Sequence, residues 1–249
     1  MDDEVVRAWR AAGREPGAVV LDGFHALKHA LRFGGDVRRV VTVDRGALLE
    51  LAGELAPDVV PAVAGLAVEV PEAVVRGLVP RVHPTGVVAL AVRPSAEANR
   101  EVLGRRPREA PVVVLENPRN LGNVGAVIRL AAGFGATGVV TTGDMDPWHP
   151  NVLRGSAGLH FATAVERMAL PELPDGPLFV LDPEGADIRD VPFPDDALLA
   201  FGTERHGVSA ELKGRADQLV AVPMQPGVSS FNLATSVAMG LFHWRSGKR

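Results

Sequence analysis

Residues 116–140 read ENPRNLGNVGAVIRLAAGFGATGVV. Within them Val124, Val127, Ile128, Ala131 and Phe134 recur at i, i+3, i+4, i+7 and i+10, the spacing of one helix face over 121–134. Arg129 falls on the opposite side, among Gly122, Gly125, Ala126, Ala132 and Gly133. Each glycine costs a helix about 1 kcal/mol relative to alanine, so two of them near its start predict that something approaches the backbone closely there. Asn117 and Asn120 stand just ahead, where side-chain oxygens cap free N–H groups, and the helix N-terminus favours a negative or electron-rich ligand. The plain alternative is an exposed arginine on an amphipathic helix, with glycines packed against a strand. A dinucleotide fingerprint does not fit: NLGNVG supplies G-x-x-G rather than G-x-G-x-x-G. Asp144, the acidic residue about 20 positions on, sits in the turn-like GDMDP and not at a strand end.

Outward from this helix the chain alternates. PVVVLEN (111–117) and TGVVTT (137–142) read as strands around it, and HPNVLRGSAG (149–158) as a short helix or turn. PLFVLD, DALLAFG and QLVAVPM read as strands, SAELKGRAD and the closing FNLATSVAMGLFHWR as helices. Short apolar runs alternating with helices predict an α/β fold with a buried, mostly parallel sheet covered on both faces. Toward the N-terminus, FHALKHALRFG, ALLELAGEL and PEAVVRGLV read as helices, VRRVVTV and VVALAV as strands. Residues 95–110, SAEANREVLGRRPREA, are polar and charged, and read as a linker, partly helical, between domains at 1–94 and 111–249.

The chain has 249 residues, enough to bury a substantial core. It contains no cysteine, which excludes disulfides, thiolate metal sites and a cysteine nucleophile. Its start, MDDEVVRAWRAAG, lacks the pattern of a secretion signal, and no apolar run is long enough to span a bilayer; a cytoplasmic protein is expected. The formal net charge is −4, so a nucleic-acid site must be a local patch.

Two further loops stand at strand ends, LLAFGTERHGVS (198–209) and LVAVPMQPGVSSFNLATSVAMGLFHW (219–244). Three glycine-rich, small-polar loops at the carboxyl ends of strands predict a ligand pocket at one sheet edge. With these in view, ENPRNLGNVGAVIRLAAGFG, FGTERHGVS and VPMQPGVSSFNLATSVAMG resemble the three motifs of the SpoU (TrmH-type) RNA ribose methyltransferases, of the SPOUT class. LRGSAGLHF resembles the family's R-x-S-x-G segment, and the likeness covers roughly 111–245. The front stretch, VLDGFHALKHALRFGGDVRRVVTV, resembles the ribosomal-protein-L30e-like substrate-binding domain of many members.

The resemblance implies a C-terminal α/β domain with a deep trefoil knot, a homodimer, S-adenosyl-L-methionine as cofactor, no metal, and methylation of a ribose 2′-hydroxyl in RNA. The two-domain layout favours rRNA over tRNA. It implies an adenosine pocket around Gly202, Val222 and Phe231, with Met224 nearby; Phe231 replaces the family's usual leucine. It places Asn120, Arg129, Glu204, Ser230 and Asn232 around the reacting centre. Arg129 is assigned here as an electrostatic partner of phosphate or developing alkoxide, because guanidinium stays protonated and makes a poor base. Glu204 has a structural alternative as a fold-holding carboxylate, and Ser230 and Asn232 as helix caps. His25 and His29 lack a third metal ligand, and His206 lies inside a matched motif. Lys28, Arg32, Arg38 and Arg39 form a candidate RNA-facing patch, for which a solvated face is the plainer account. The competing functions are a non-catalytic RNA-binding protein with a decayed cofactor site and, less compatible with the motifs, a nucleotide-dependent oxidoreductase.

Overall fold

The computed structural model describes residues 2–203 and 207–248. The chain divides into two compact units, Met1–Ser95 with Ala157–Ala162, and Ala96–Ser156 with Thr163–Arg249.

The first unit runs α1 (Asp2–Ala12), β1 (Ala18–Asp22), α2 (Phe24–Arg32), β2 (Asp36–Thr42), α3 (Arg45–Leu55), α4 (Val60–Leu66), β3 (Ala67–Glu69), α5 (Glu72–Leu78) and β4 (Val87–Val92). Its sheet has the order β1-β4-β2-β3, with β4 antiparallel to both neighbours and β2 parallel to β3. Trp9 and Ala12 of α1 and Val75 of α5 pack with Val41, Val88 and Leu90 of the sheet. Asp44 starts α3 by accepting a hydrogen bond from Ala47 N (2.8 Å). The segment 157–162 belongs here: His29 Nδ1 donates to the Ala157 carbonyl (2.7 Å), and a side chain on Gly158 would strike the Ala26 backbone. Burial lowers the His29 pKa. This bond packs the histidine against the 157–162 segment.

The second unit runs α6 (Ala96–Gly104), β5 (Val112–Leu115), α7 (Leu121–Phe134), β6 (Gly138–Thr141), α8 (Pro150–Gly155), β7 (Ala164–Arg167), β8 (Leu178–Asp187), β9 (Leu198–Phe201), α9 (Ala210–Gly214), β10 (Gln218–Ala221) and α10 (Leu233–Ser246). Six parallel strands lie in the order β10-β8-β9-β5-β6-β7. Parallel strands need crossovers that bury both sheet faces, and β5, β6 and β9 are accordingly buried at every position. Strand order reverses beside β5: the chain moves out through β6 and β7, then returns with β9 on the other side of β5. α7 occupies 121–134 as its periodicity predicts, and Gly135 ends it in the left-handed conformation (φ 72°) that glycine adopts without strain.

The expected linker at 95–110 is instead built into this unit. Leu103 of α6 is fully buried, and Asn99 Nδ2 donates to the Val165 carbonyl (3.0 Å). Arg108, 5% exposed, donates to the carbonyls of Leu103 (3.3 Å), Asp175 (2.7 Å) and Asp196. The polar composition concealed one apolar stripe, Val102 and Leu103 with Asn99, that docks α6 on the sheet. Burial pushes the Arg108 guanidinium below its ordinary pKa.

Candidate functional site

At the carboxyl ends of β8, β9 and β10 lies a cleft of about 280 Å³, lined among others by Asp182, Gly202, Thr203, Val222, Met224 and Phe231. Ligands of open α/β sheets sit outside strand carboxyl ends, where strand order reverses. Each wall follows from local sequence. Leu181, Asp182 and Pro183 stand within β8 where its pairing with β9 ends and its register with β10 shifts, Phe201 ends β9 with Gly202 next, and Val222 and Met224 follow β10. Gly202 is required by contact: a Cβ there would sit 2.1 Å from the Gly207 carbonyl carbon and 2.4 Å from Val208 N. Thr203 and Gly207 close that turn with two backbone bonds, Thr203 N to Gly207 O (2.9 Å) and Gly207 N to Thr203 O (3.0 Å).

The cleft joins an apolar part, Leu181, Val220, Val222, Met224, Phe231 and Leu233, to hydroxyls of Ser229, Ser230 and Ser236. Phe231 is 40% exposed, so its ring forms an open rim. Asp182 is buried, accepts from Glu184 N (3.0 Å) and pairs with Lys213 Nζ (2.6 Å). The Asp182 hydrogen bond raises the Lys213 pKa, which keeps that ammonium charged.

Of the residues singled out in the sequence, Gly202, Val222, Met224, Phe231 and Ser230 all line this one cleft. Asn232 stands beside it as N-cap of α10, its Oδ1 accepting from Ala234 N (2.9 Å) and Thr235 N (3.4 Å). Asn120 and Arg129 do not line it. Asn120 caps α7 through Oδ1, which accepts from Asn123 N (3.0 Å). Arg129 is exposed on α7, with no ion pair or hydrogen bond among the described residues. Glu204 and His206 lie outside the described residues.

Asn123 was passed over in the sequence. Its Oδ1 accepts from Asn232 Nδ2 (3.1 Å), so this side chain, and not Asn120, ties α7 to the start of α10 and the cleft. The available signal was position: one turn inside the helix, Asn123 has its backbone N–H capped and its amide left to point outward. The close approach expected at the α7 glycines is that of a helix. A Cβ on Gly125 would lie 2.8 Å from both Gly155 Cα and the Val152 carbonyl of α8. That contact explains the glycine without a ligand.

In the first unit two of the four residues of the expected basic patch are paired with carboxylates. Arg32 makes a two-pronged pair with Asp58 (2.6 and 2.7 Å), Arg38 pairs with Asp36 (2.8 Å) and Glu15 (3.7 Å), and Arg39 donates to the Arg38 carbonyl. Among the described residues no group of three or more His, Cys, Asp or Glu is placed to hold a metal, and no helix is long and apolar enough to cross a membrane.

Residues 110–242 match the SpoU rRNA methylase family over more than half of the chain. The chain belongs to the SpoU rRNA methylase family. A curated relative, an uncharacterised tRNA/rRNA methyltransferase of Synechocystis, is 32% identical over 142 residues, covering 53% of this chain and 52% of that protein. The 23S rRNA (uridine(2479)-2′-O)-methyltransferase of Streptomyces viridochromogenes is 30% identical over 178 residues, covering 64% of this chain and 59% of the relative. The chain thus spans little more than half the length of these SpoU relatives. The AdoMet-bound rRNA methyltransferase of Sinorhizobium meliloti superposes with a TM-score of 0.77 at 24% identity, over 100% of this chain and 97% of that one. The likeness establishes a shared fold.

Proposed function

We propose that this SpoU family member is a methyltransferase that uses S-adenosyl-L-methionine to methylate a ribose 2′-hydroxyl of structured RNA, rRNA in preference to tRNA, in the cytoplasm. The observation that carries the reading is the cleft at the ends of β8, β9 and β10. Its residues fit the cofactor: apolar side chains for a flat purine, hydroxyls and exposed main-chain groups for its edge, and at Gly202 a backbone approach that a side chain would block. The wall's one carboxylate among the described residues, Asp182, is paired with Lys213 from outside the lining, and no described lining residue is a cation that would repel a positive sulfonium. Gly202, Val222, Met224 and Phe231 are the residues that would hold it.

Bound S-adenosylmethionine supplies an already activated methyl group. The protein's task is then to align the ribose oxygen and ease loss of its proton. Arg129 is the electrostatic partner in this reading, binding the adjoining phosphate or stabilising the developing alkoxide, and the proton leaves to water. Asn123 and Asn232 hold the start of α10 against α7, and Ser230 offers a hydroxyl at the mouth. Asn120 serves these residues as a helix cap, and Glu204 is retained as a polar residue of the centre.

Three further features belong to the same reading. A trefoil knot at the C-terminus is supported by α10, which packs against both α7 and β9. A homodimer is supported by Phe242, 64% exposed on α10. An L30e-like RNA-binding role for residues 1–94 is supported by their separate α/β unit. Titration calorimetry tests the cofactor: S-adenosylmethionine and its demethylated product bind and NADH does not. NADH binding without S-adenosylmethionine binding would reverse the assignment.

A further inference from the structure

We infer that Glu116 is a positioning residue for the cofactor cleft, resting on the proposed reading of that cleft. Glu116 follows β5, in the middle of the sheet, and is 8% exposed. A buried carboxylate is costly unless its oxygens are satisfied. No cation satisfies this one among the described residues; a single serine does. Ser209 N donates to Oε2 (2.7 Å) and Ser209 Oγ to Oε1 (2.5 Å). Ser209 Oγ in turn accepts from Leu212 N (3.1 Å), capping α9. The backbone adds to the grip, since Glu116 N donates to the Phe201 carbonyl (2.9 Å).

Glu116 therefore holds both ends of one loop, Phe201 where it leaves β9 and Ser209 where it enters α9. Between them lie Gly202, Thr203 and Gly207, which line the cleft. The loop's described residues are tied to one another, Thr203 to Gly207 by a pair of backbone bonds and Gly202 by its close approach to Gly207 and Val208. A shift of Ser209 is consequently transmitted to the main-chain groups that face the cofactor. Charge-assisted bonds to an ionised acceptor are shorter and stronger than neutral ones, so the carboxylate holds Ser209 in one position. Glu116 touches neither the cleft nor reacting atoms, and its effect runs through Ser209.

The test is a cycle of Glu116→Gln, Ser209→Ala and the double variant in the full chain. Glutamine keeps the volume but its single carbonyl oxygen replaces two anionic acceptors. S-adenosylmethionine affinity is measured by calorimetry at a temperature where circular dichroism shows each variant folded. We expect each single change to weaken cofactor binding roughly tenfold, and the double variant to lose no more than about the larger single effect, as residues acting through one contact do. Turnover at saturating cofactor should fall much less than cofactor affinity. A folded Glu116→Gln chain with unchanged affinity but a lowered melting temperature would overturn the positioning role and leave the reading of the cleft standing. Additive losses in the double variant would also overturn it. Should Glu116→Gln fail to fold, Ser209→Ala alone decides by the same affinity measurement. A wild-type chain that binds no S-adenosylmethionine removes the reading and this inference together.

Discussion

Arg129 stands exposed on a helix whose other polar groups are engaged: Asn120 in the cap, Asn123 with Asn232. Its side chain has no ion pair or hydrogen bond among the described residues, so Arg129→Ala should change stability by no more than about 0.5 kcal/mol. Methyl transfer in single turnovers at saturating RNA should nonetheless slow by roughly 100-fold, the size lost with a transition-state electrostatic partner. Arg129→Lys should recover only part, since an ammonium cannot copy a planar, two-pronged contact. Near-normal transfer by the alanine variant would return Arg129 to the plain role of a solvated helix residue. The glycines of the same helix separate by position. Gly125→Ala places a Cβ against the α8 backbone, which cannot step aside, and should cost about 1–3 kcal/mol in urea unfolding. Gly133→Ala meets nothing within 4 Å and should stabilise by up to about 1 kcal/mol through helix propensity. Equal effects at the two positions would contradict the packing account of Gly125.

Among the elements, α7 was legible in full because periodicity, cap and closing glycine agree on one segment. The strand-end loops located a pocket at the sheet edge, while its individual lining residues, Gly202, Val222, Met224 and Phe231, were legible through the resemblance to the SpoU motifs. α6 falls in a stretch expected to be a partly helical linker; its docking was not legible, because nine residues with one short apolar stripe look like linker until a sheet is present to receive Leu103. β7 was missed because AVER carries too few apolar positions to mark a strand. The role exchange between Asn120 and Asn123 depends on which amide reaches across to α10, a distance of tertiary origin that no spacing rule contains. α10 itself begins at an asparagine with two duties. Asn232→Ala should cost about 1 kcal/mol for the cap and lower methyl transfer as well, through loss of the Asn123 contact. Asn120→Ala should show the cap cost with a much smaller effect on transfer. A comparable loss of transfer in both would contradict the assignment of Asn123 to the site.

Taken as a whole, the molecule sets RNA recognition apart from the cleft as a question of charge. In the front unit's expected basic cluster, Arg32 is paired with Asp58, and Arg38 with Asp36 and Glu15. Arg10 near the end of α1 and Arg14 in the turn after it carry no ion pair among the described residues and line a shallow groove with Trp9 and Leu78. Replacing both by glutamine should weaken RNA binding and lower its salt dependence by about one per arginine, with cofactor affinity intact; an unchanged salt slope would place RNA elsewhere. The boundary of the front unit also matters for truncation. A fragment should begin at Ala96 so that α6 is kept, and its segment 157–162 then loses its partners in the first unit. All of this depends on the reaction itself. The direct measurement is transfer of labelled methyl from S-adenosylmethionine to rRNA, followed by alkaline hydrolysis and mapping of the resistant nucleotide. Label in an alkali-resistant dinucleotide at one defined rRNA position is the predicted result. Label on a base, or no transfer to any RNA by a chain that binds the cofactor, would contradict it.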